Sequence, residues 1–262
     1  MQVEGVVDYI VKWLKEYAQN AGVNGFVVGV SGGIDSAVTS TLCAKTGLPT
    51  LCLEMPIYQA ENHVSRALNH IAWLQEHHNN VSLTHVNLTP VFNSLVGALP
   101  PVENEESRLM SLANTRARLR MTSLYYFAAL HGYIVAGTGN KVEDFGVGFY
   151  TKYGDGGVDI SPIADLLKSE VYALASVLGV HREIIEAPPT DGLWGDHRSD
   201  EDQLGASYME LEWAMEMQDK GKQIQDFLGR EREVFEIYTR FNSSNQHKMN
   251  PIPVCEIPEN LK

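Results

Sequence analysis

The segment FVVGVSGGIDS, residues 26–36, decides the fold of this chain. Residues 26–28 are apolar and β-like, and residues 37–42 continue the segment in a helical pattern. A strand, a glycine-rich turn and a helix N-terminus in that order form an anion site, because the turn presents backbone N–H groups and the helix dipole favours negative charge. Ser31 and Ser36 add hydroxyl groups. We therefore expect the phosphates of a nucleotide to bind at this turn.

Short apolar runs alternate with helical patterns along the chain, which predicts βαβ units and a doubly wound, mainly parallel sheet of the α/β class, flanked by helices. Ligands of such sheets bind beyond the carboxyl ends of strands, so the site is expected near Val30 and Ala136. The predicted strands are 26–30, 50–55, 83–87 and 133–136, and the predicted helices are 2–21, 36–46, 60–78, 107–131, 168–178, 201–219 and 229–241.

The composition is that of a globular protein with a substantial core. The 262 residues are 44% hydrophobic, and we expect one domain spanning 1–262. The formal net charge is −13, from 20 Lys and Arg against 33 Asp and Glu, which argues against nucleic acid as the main partner. An anionic substrate therefore needs locally placed cations or metal ions.

The sequence also indicates where in the cell the protein is located. No stretch approaches 18 apolar residues, and residues 1–22 form an amphipathic pattern without the apolar core of a signal peptide. We therefore expect a cytoplasmic protein that does not enter the membrane. Cys43, Cys52 and Cys255 have neither metal-ligand nor redox spacing, so we expect buried thiols in a reducing compartment. The polar segment 188–200 has the character of a lid.

Three mechanisms compete for the glycine turn. A Walker A loop is excluded, because no Lys followed by Ser or Thr comes after the glycines in the required frame. Residues 29–33 match the G-x-S-x-G nucleophile elbow, with Ser31 as nucleophile and His197 or His247 as its base. A pyrophosphate-binding loop explains more of the segment, because a carboxylate at Asp35 beside phosphate calls for a cation such as Mg²⁺. The alternative is that Asp35 and the serine after it only cap the next helix.

A resemblance to a known family favours the pyrophosphate loop. Residues 29–36 resemble the signature of the ATP pyrophosphatase superfamily, whose members split ATP into AMP and pyrophosphate. Two further segments are similar to those of the NAD synthetase family within it, namely NTRARLRM at 114–121 and TKYGDGGVD at 151–159. The resemblance runs from about residue 5 to about residue 250 and implies an adenine nucleotide alpha hydrolase-like fold. The match continues through Lys168, PTD at 189–191, SDE at 199–201, LG at 204–205 and HK at 247–248.

The resemblance implies a reaction. ATP, with Mg²⁺, adenylates the carboxylate of nicotinic acid adenine dinucleotide (deamido-NAD), and ammonia then converts the acyl-adenylate into NAD with release of AMP. This is the final step of NAD biosynthesis, and the family works as a homodimer. Free ammonia is the expected donor, because the chain has no room for the amidase domain of glutamine-using members; a separate glutaminase subunit is the alternative. Two hypotheses from other classes are an esterase that uses Ser31 and a sensor that binds ATP without releasing AMP.

The resemblance also implies roles for single residues. Asp35 and Glu143 hold Mg²⁺, and Asp35 and Lys168 are catalytic. Eight residues separate Glu143 from Lys152, one more than the commoner family spacing, so either Glu143 or Asp144 meets the metal. The implied ATP-binding residues are Gly29, Val30, Ser31, Gly32, Gly33, Ile34, Asp35, Ser36, Thr138, Lys168 and Thr190. The implied deamido-NAD-binding residues are Arg118, Lys152, Asp159, His247 and Lys248.

Some of these residues have a plainer interpretation. His247 and Lys248 lie in a segment without periodicity, which is typical of an exposed loop. His63, His70 and His77 recur every seven residues, which predicts an exposed or interfacial stripe on one helix. The three histidines are too far apart to share a metal ion.

Overall fold

Parallel strands form the central sheet of the computed structural model, which describes residues 1–189 and 199–262. The strands are β1 Phe26–Gly29, β2 Thr50–Glu54, β3 Val81–His85 and β4 Ile134–Val135. Their order is β3-β2-β1-β4, and every neighbouring pair is parallel. Phe26 lies opposite Thr50 on one side and Ile134 on the other. The first strand is therefore internal, and its carboxyl end faces the edge where ligands of such sheets bind.

Helices alternate with these strands along the chain, as the sequence predicts. They are α1 Val3–Ala21, α2 Ile34–Lys45, α3 Glu61–His77, α4 Thr89–Ala98, α5 Glu105–His131, α6 Lys168–Leu178, α7 Arg182–Ile185, α8 Asp200–Leu204, α9 Tyr208–Asp219 and α10 Gly229–Met249. A π-helical segment spans Val142–Val147, and 3₁₀ turns lie at Ile224–Asp226 and Glu259–Leu261. Within the described parts of the chain, no helix is both long and apolar enough to span a bilayer.

The internal strand shows why helices cover both faces of the sheet. Val27 and Val28 are fully buried neighbours whose side chains point to opposite faces. Val28 packs in a cluster with Leu14 of α1 and Leu42 of α2, whereas Val27 shares a cluster with Phe92 of α4. A further apolar cluster joins the π-helical segment to α9 and α10. The predicted doubly wound α/β fold is confirmed.

Several predicted boundaries are wrong. The helix predicted at 201–219 is two helices, because Gly205 ends α8 with a φ of +81° and Ser207 caps α9. The helix predicted at 229–241 continues to Met249. β3 begins earlier than predicted, and α4 was not predicted. Local glycines and caps decide such boundaries more strongly than hydrophobic periodicity does.

Two predictions about single side chains are also wrong. His70 is fully buried instead of exposed, and its Nε2 lies 3.0 Å from Ser40 Oγ of α2. Burial lowers the pKa of His70 to about 4, so the ring is neutral at neutral pH. Cys43 and Cys52 are buried as predicted, whereas Cys255 is exposed.

Candidate active site

The glycine turn lies between β1 and α2, at the carboxyl edge of the sheet. Ser36 Oγ donates to the carbonyl of Gly33 at 2.9 Å and accepts from the N–H of Ser31 at 3.2 Å. The N–H of Gly33 in turn donates to Ser31 Oγ at 3.2 Å. Gly32 has a φ of +83°, and a Cβ there would lie 2.6 Å from the carbonyl oxygen of His63, so only glycine fits. The two serines and Gly32 thus hold a preformed turn.

A buried lysine joins two carboxylates beside this turn. Lys168 Nζ lies 2.6 Å from Asp35 Oδ2 and 3.0 Å from Glu143 Oε1. The three side chains come from α6, α2 and the π-helical segment, and the lysine side chain is 4% exposed. We call Asp35, Glu143 and Lys168 the lysine centre. Because α2 begins at Ile34 with Gly33 as its N-cap, Asp35 does not act as the cap.

Burial and charge act in opposite directions in the lysine centre. Burial alone lowers the pKa of Lys168, but the carboxylates of Asp35 and Glu143 outweigh it and raise the pKa above the ordinary value. Burial raises the pKa of Asp35, and the ammonium of Lys168 opposes that shift. The lysine is therefore charged at neutral pH. One ammonium thus faces two carboxyl groups, whose oxygens are ligands that a divalent cation takes.

Two residues that the sequence analysis did not single out hold the carboxylates in place. Asn140 Nδ2 donates to Asp35 Oδ1 at 3.1 Å, while Asn140 Oδ1 accepts from the backbone N–H of Val142 and of Glu143. The hydroxyl of Tyr208 donates to Glu143 Oε1 at 2.6 Å. Asn140 lies in the loop after β4, at the edge of the sheet where ligands are expected, but its contact with Asp35 is not visible in the sequence, and Tyr208 comes from a distant helix that no local pattern connects to the site.

A π-helical segment occupies Val142–Val147, within the stretch whose spacing from Glu143 to Lys152 departs from the commoner family form. A π-helical turn holds one residue more than an α-helical turn of similar rise, so it can absorb an insertion, and such turns are frequent at functional sites. Within the segment, Glu143 turns towards Lys168. Asp144 packs over Gly139, where a Cβ would lie 2.2 Å from Asp144 Oδ1, and burial together with neighbouring carboxylates raises the pKa of Asp144 to about 8. The structure thus brings Glu143, and not Asp144, into the lysine centre.

A cavity of about 680 Å³ opens over the glycine turn and the lysine centre. Its wall includes the whole segment 29–36 together with Thr138, Glu143, Lys168 and Lys248. These residues are distant in sequence, and the predicted nucleotide-binding set therefore converges on one space. Thr190, which the resemblance implies for ATP, lies outside the described residues, as does most of segment 188–200 with His197.

A second group of predicted residues lies next to one another outside the wall of this cavity. Arg118 Nε and Nη2 both donate to the carbonyl of Lys152 at 3.3 Å, and Lys152 Nζ donates to the carbonyl of His247. We call Arg118, Lys152 and His247 the outer basic group. His247 and Lys248 lie in the last turn of α10, so the loop interpretation is wrong.

The remaining two residues implied for deamido-NAD have mainly backbone partners. Lys248 Nζ donates to the carbonyls of Gly148 at 2.8 Å and Tyr150 at 2.9 Å. Asp159 Oδ2 accepts from the backbone N–H of Val135, and Asp159 Oδ1 accepts from the hydroxyl of Tyr125, both at 2.9 Å. Asp159 thereby fastens the end of β4, whereas Lys248 reaches the cavity wall.

Comparison with known proteins identifies the family. The model of the NAD synthase family matches residues 6–252. The chain belongs to the NAD synthase family. It is 36% identical over 233 residues to the NH(3)-dependent NAD(+) synthetase of Carboxydothermus hydrogenoformans, covering 87% of this chain and 91% of that one. It is 35% identical to the enzyme of the same name from Syntrophomonas wolfei, over 100% of both chains.

Solved structures of the family have the same fold. The NMN synthetase of Francisella tularensis superposes with a TM-score of 0.83 at 31% identity, covering 99% of both chains. An NH3-dependent NAD synthetase from Campylobacter jejuni, solved with a nitrate ion, gives a TM-score of 0.78 at 26% identity, covering 98% of this chain and 100% of that one. The adenine nucleotide alpha hydrolase-like fold is therefore confirmed. The chain is an enzyme, a ligase that forms a carbon–nitrogen bond.

Family membership also decides between the interpretations of Ser31. A ligase of this family has no use for a serine nucleophile in ester hydrolysis, and the described hydrogen bonds of Ser31 Oγ are with Ser36 and Gly33. His247, one of the two bases considered, directs Nδ1 to the carbonyl of Ser244. The esterase hypothesis is therefore not supported.

Proposed function

We propose that this enzyme completes NAD biosynthesis by amidating deamido-NAD with ammonia at the expense of ATP, through an acyl-adenylate. The observation that carries the proposal is the buried Lys168, which bridges Asp35 and Glu143 at the wall of the same cavity as the glycine turn. Two polyanions must meet in this reaction, so neutralisation of charge and positioning dominate the barrier. The names of the relatives support the same reaction.

The first step joins the two anionic substrates. A carboxylate oxygen of deamido-NAD attacks the α-phosphorus of ATP, and the bond from that phosphorus to the pyrophosphate oxygen breaks. In the proposed complex the turn at 31–36 cradles the phosphates at the N-terminus of α2, and Thr138, which lines the same cavity, contacts ATP. Lys168 presents its ammonium to the departing pyrophosphate. This arrangement withdraws electron density from the bond that breaks.

The second step forms the amide. Ammonia attacks the acyl carbon through its lone pair, the bond from that carbon to the AMP oxygen breaks, and the nitrogen loses a proton to give NAD. AMP is a far better leaving group than the oxide that a free carboxylate would have to expel. Free ammonia is the proposed donor, in line with the names of the relatives.

The donor set of the lysine centre fits Mg²⁺. Magnesium usually takes one or two carboxylates together with substrate phosphates and waters, and Asp35 and Glu143 supply two carboxyl groups side by side. No cluster of three or more His, Cys, Asp or Glu side chains suited to a metal occurs among residues 1–189 and 199–262. We therefore propose that Asp35 and Glu143 hold the ion jointly with ATP. When bound, Mg²⁺ neutralises the charge that develops on pyrophosphate.

The outer basic group is the proposed anchor for deamido-NAD. Arg118 and Lys152 donate to neutral carbonyls, so their positive charges remain available to the phosphates of the dinucleotide. His247, Lys248 and Asp159 complete the set that the family resemblance implies.

We further propose that the enzyme is a cytoplasmic homodimer. The apolar side chains Leu95 of α4, and Leu109, Met110 and Leu130 of α5, are 38%, 47%, 50% and 60% exposed. Such a surface is typical of an interface.

An assay that follows both products tests the proposed function. We expect the enzyme, supplied with ATP, Mg²⁺, ammonium and deamido-NAD, to form AMP and NAD in equal amounts, measured by chromatography. Because one structural relative is an NMN synthetase, nicotinate mononucleotide is tested in a parallel reaction. Preference for the mononucleotide would correct the substrate and leave the chemistry intact. Binding of ATP without release of AMP would contradict the proposal and support the sensor hypothesis.

A further inference from the structure

A hydroxyl group from α9 reaches the lysine centre. Tyr208 is 5% exposed, and its Oη lies 2.6 Å from Glu143 Oε1. Lys168 Nζ stands 4.6 Å from the centroid of the same ring. We propose that Tyr208 is a positioning residue that fixes the Glu143 carboxylate for the divalent cation accompanying ATP. This inference rests on the proposed function, because the metal belongs to that reaction.

The hydrogen bonds that Glu143 accepts show how its carboxylate is held. The hydroxyl of Tyr208 is the donor of the short hydrogen bond, and Glu143 Oε1 is its acceptor. Glu143 Oε1 also accepts from Lys168 Nζ at 3.0 Å. Two donors on one oxygen fix the rotation of the carboxylate. The carboxylate is thereby held in one orientation.

Tyr208 is itself held in place by its neighbours. Its backbone N–H donates to Glu201 Oε1 at 2.9 Å, which holds the start of α9 against α8. Ser207, the N-cap of α9, forms a capping box with Glu210. The ring itself packs in the apolar cluster shared by the π-helical segment, α9 and α10. The hydroxyl is therefore delivered by a capped helix that packs into an apolar cluster.

Removal of the hydroxyl oxygen of Tyr208 tests the proposal. Tyr208→Phe keeps the ring, its packing and its face towards Lys168, and removes the hydroxyl, which donates to Glu143 Oε1 at 2.6 Å and lies 3.4 Å from Asp200 Oδ2. Partners of metal ligands typically change metal affinity by about 10- to 100-fold, so we expect Mn²⁺ to bind that much more weakly in the presence of ATP. Free Mn²⁺ is measured by electron paramagnetic resonance without deamido-NAD, so that no turnover is needed.

Tyr238→Phe is the matched control. Tyr238 is 3% exposed, belongs to the same apolar cluster and lies on α10, away from the lysine centre. We expect this variant to bind Mn²⁺ as the unmodified enzyme does, and both variants to unfold near the temperature of the unmodified enzyme. The Mg²⁺ concentration needed for half-maximal activity should rise in Tyr208→Phe alone, while the KM for deamido-NAD stays unchanged.

Each outcome is decisive. Weaker Mn²⁺ binding in Tyr208→Phe alone supports the proposal. Unchanged binding in that variant overturns it and leaves the proposed function standing. Equal weakening in both variants shows a general packing effect and also overturns it. If the unmodified enzyme binds no Mn²⁺ with ATP, the metal assignment in the proposed function fails, and the role of Tyr208 fails with it.

Discussion

The lysine centre and the outer basic group are both built around lysines, but they use their charges differently. In the lysine centre the ammonium of Lys168 is buried and meets two carboxylates of the same chain. In the outer basic group Arg118 is exposed, and both Arg118 and Lys152 donate to carbonyl oxygens. Carbonyls are neutral, so this second region keeps its positive charge in a chain whose formal net charge is −13. The first region is suited to chemistry on phosphates with a metal, and the second to holding an anionic substrate.

The largest expected effect comes from removing the buried ammonium. Lys168→Ala leaves Asp35 and Glu143 buried without their cation, which should lower the free energy of unfolding by about 3–5 kcal/mol. Loss of the donor to pyrophosphate should also reduce AMP release by about 10³-fold or more. Urea unfolding and the rate of AMP release measure the two effects. Lys141→Ala, which breaks an ion pair with the 97%-exposed side chain of Asp165, is the control and should change neither quantity appreciably.

Asp35→Asn tests whether the lysine centre needs the carboxylate of Asp35, because asparagine lacks the carboxylate and has nearly the same shape. We expect a loss of about 10²–10³-fold in ATP- and Mg²⁺-dependent NAD formation. The protein should stay folded by circular dichroism, since Lys168 keeps Glu143 as partner. Full activity in this variant would show that the carboxylate of Asp35 has no part in the reaction. Asp165→Asn serves as the exposed control.

Lys152→Ala probes the outer basic group. Removing one charge-assisted hydrogen bond to a phosphate costs about 1.5–3 kcal/mol, which corresponds to roughly a 10- to 100-fold higher KM for deamido-NAD. The affinity for ATP should not change, because Lys152 is not part of the cavity wall. Steady-state kinetics with each substrate varied in turn measure the KM for deamido-NAD and the KM for ATP separately. An equal rise in both KM values would contradict the different roles of the two regions. Lys220→Ala is the control for the loss of a surface charge.

The smallest expected effect on activity concerns His70, which belongs to neither region. Its pKa in the folded protein is lowered to about 4 by burial, whereas in the unfolded chain it is near 6.5. The unfolded state therefore binds more protons between these values, and stability is lost as the pH falls from 6.5 towards 4. The loss amounts to about 3 kcal/mol at most. Urea unfolding across this range should show a weaker pH dependence in His70→Gln; identical slopes would contradict the assignment.

The glycine turn could be predicted because its structure depends on neighbours in the sequence. A β-like run, two serines and a positive-φ glycine within eleven residues specify the strand, the turn and the helix start. Lys168 was predicted from the family resemblance, and its position at a helix start, where a cation is unfavourable, favoured the same ligand-binding role. The structure places both at the wall of one cavity, and their roles toward ATP stay predictions.

The supporting residues could not be predicted in the same way. Tyr208 is 65 residues from its partner Glu143 in the sequence, and Asn140 is 105 residues from its partner Asp35. Only the folded chain therefore reveals these hydrogen bonds. His70 was expected on an exposed stripe because its heptad spacing ignores the packing of α3 on α2. Tertiary packing overrides periodicity at such positions.

Exchange of labelled pyrophosphate into ATP, without ammonia, tests the central claim most directly. If the lysine centre performs adenylation, the enzyme catalyses this exchange only when deamido-NAD is present. Lys168→Ala should then abolish the exchange, whereas Lys152→Ala should recover it at high deamido-NAD concentration. Formation of NAD by an enzyme that shows no exchange, or undiminished exchange in Lys168→Ala, would contradict the account.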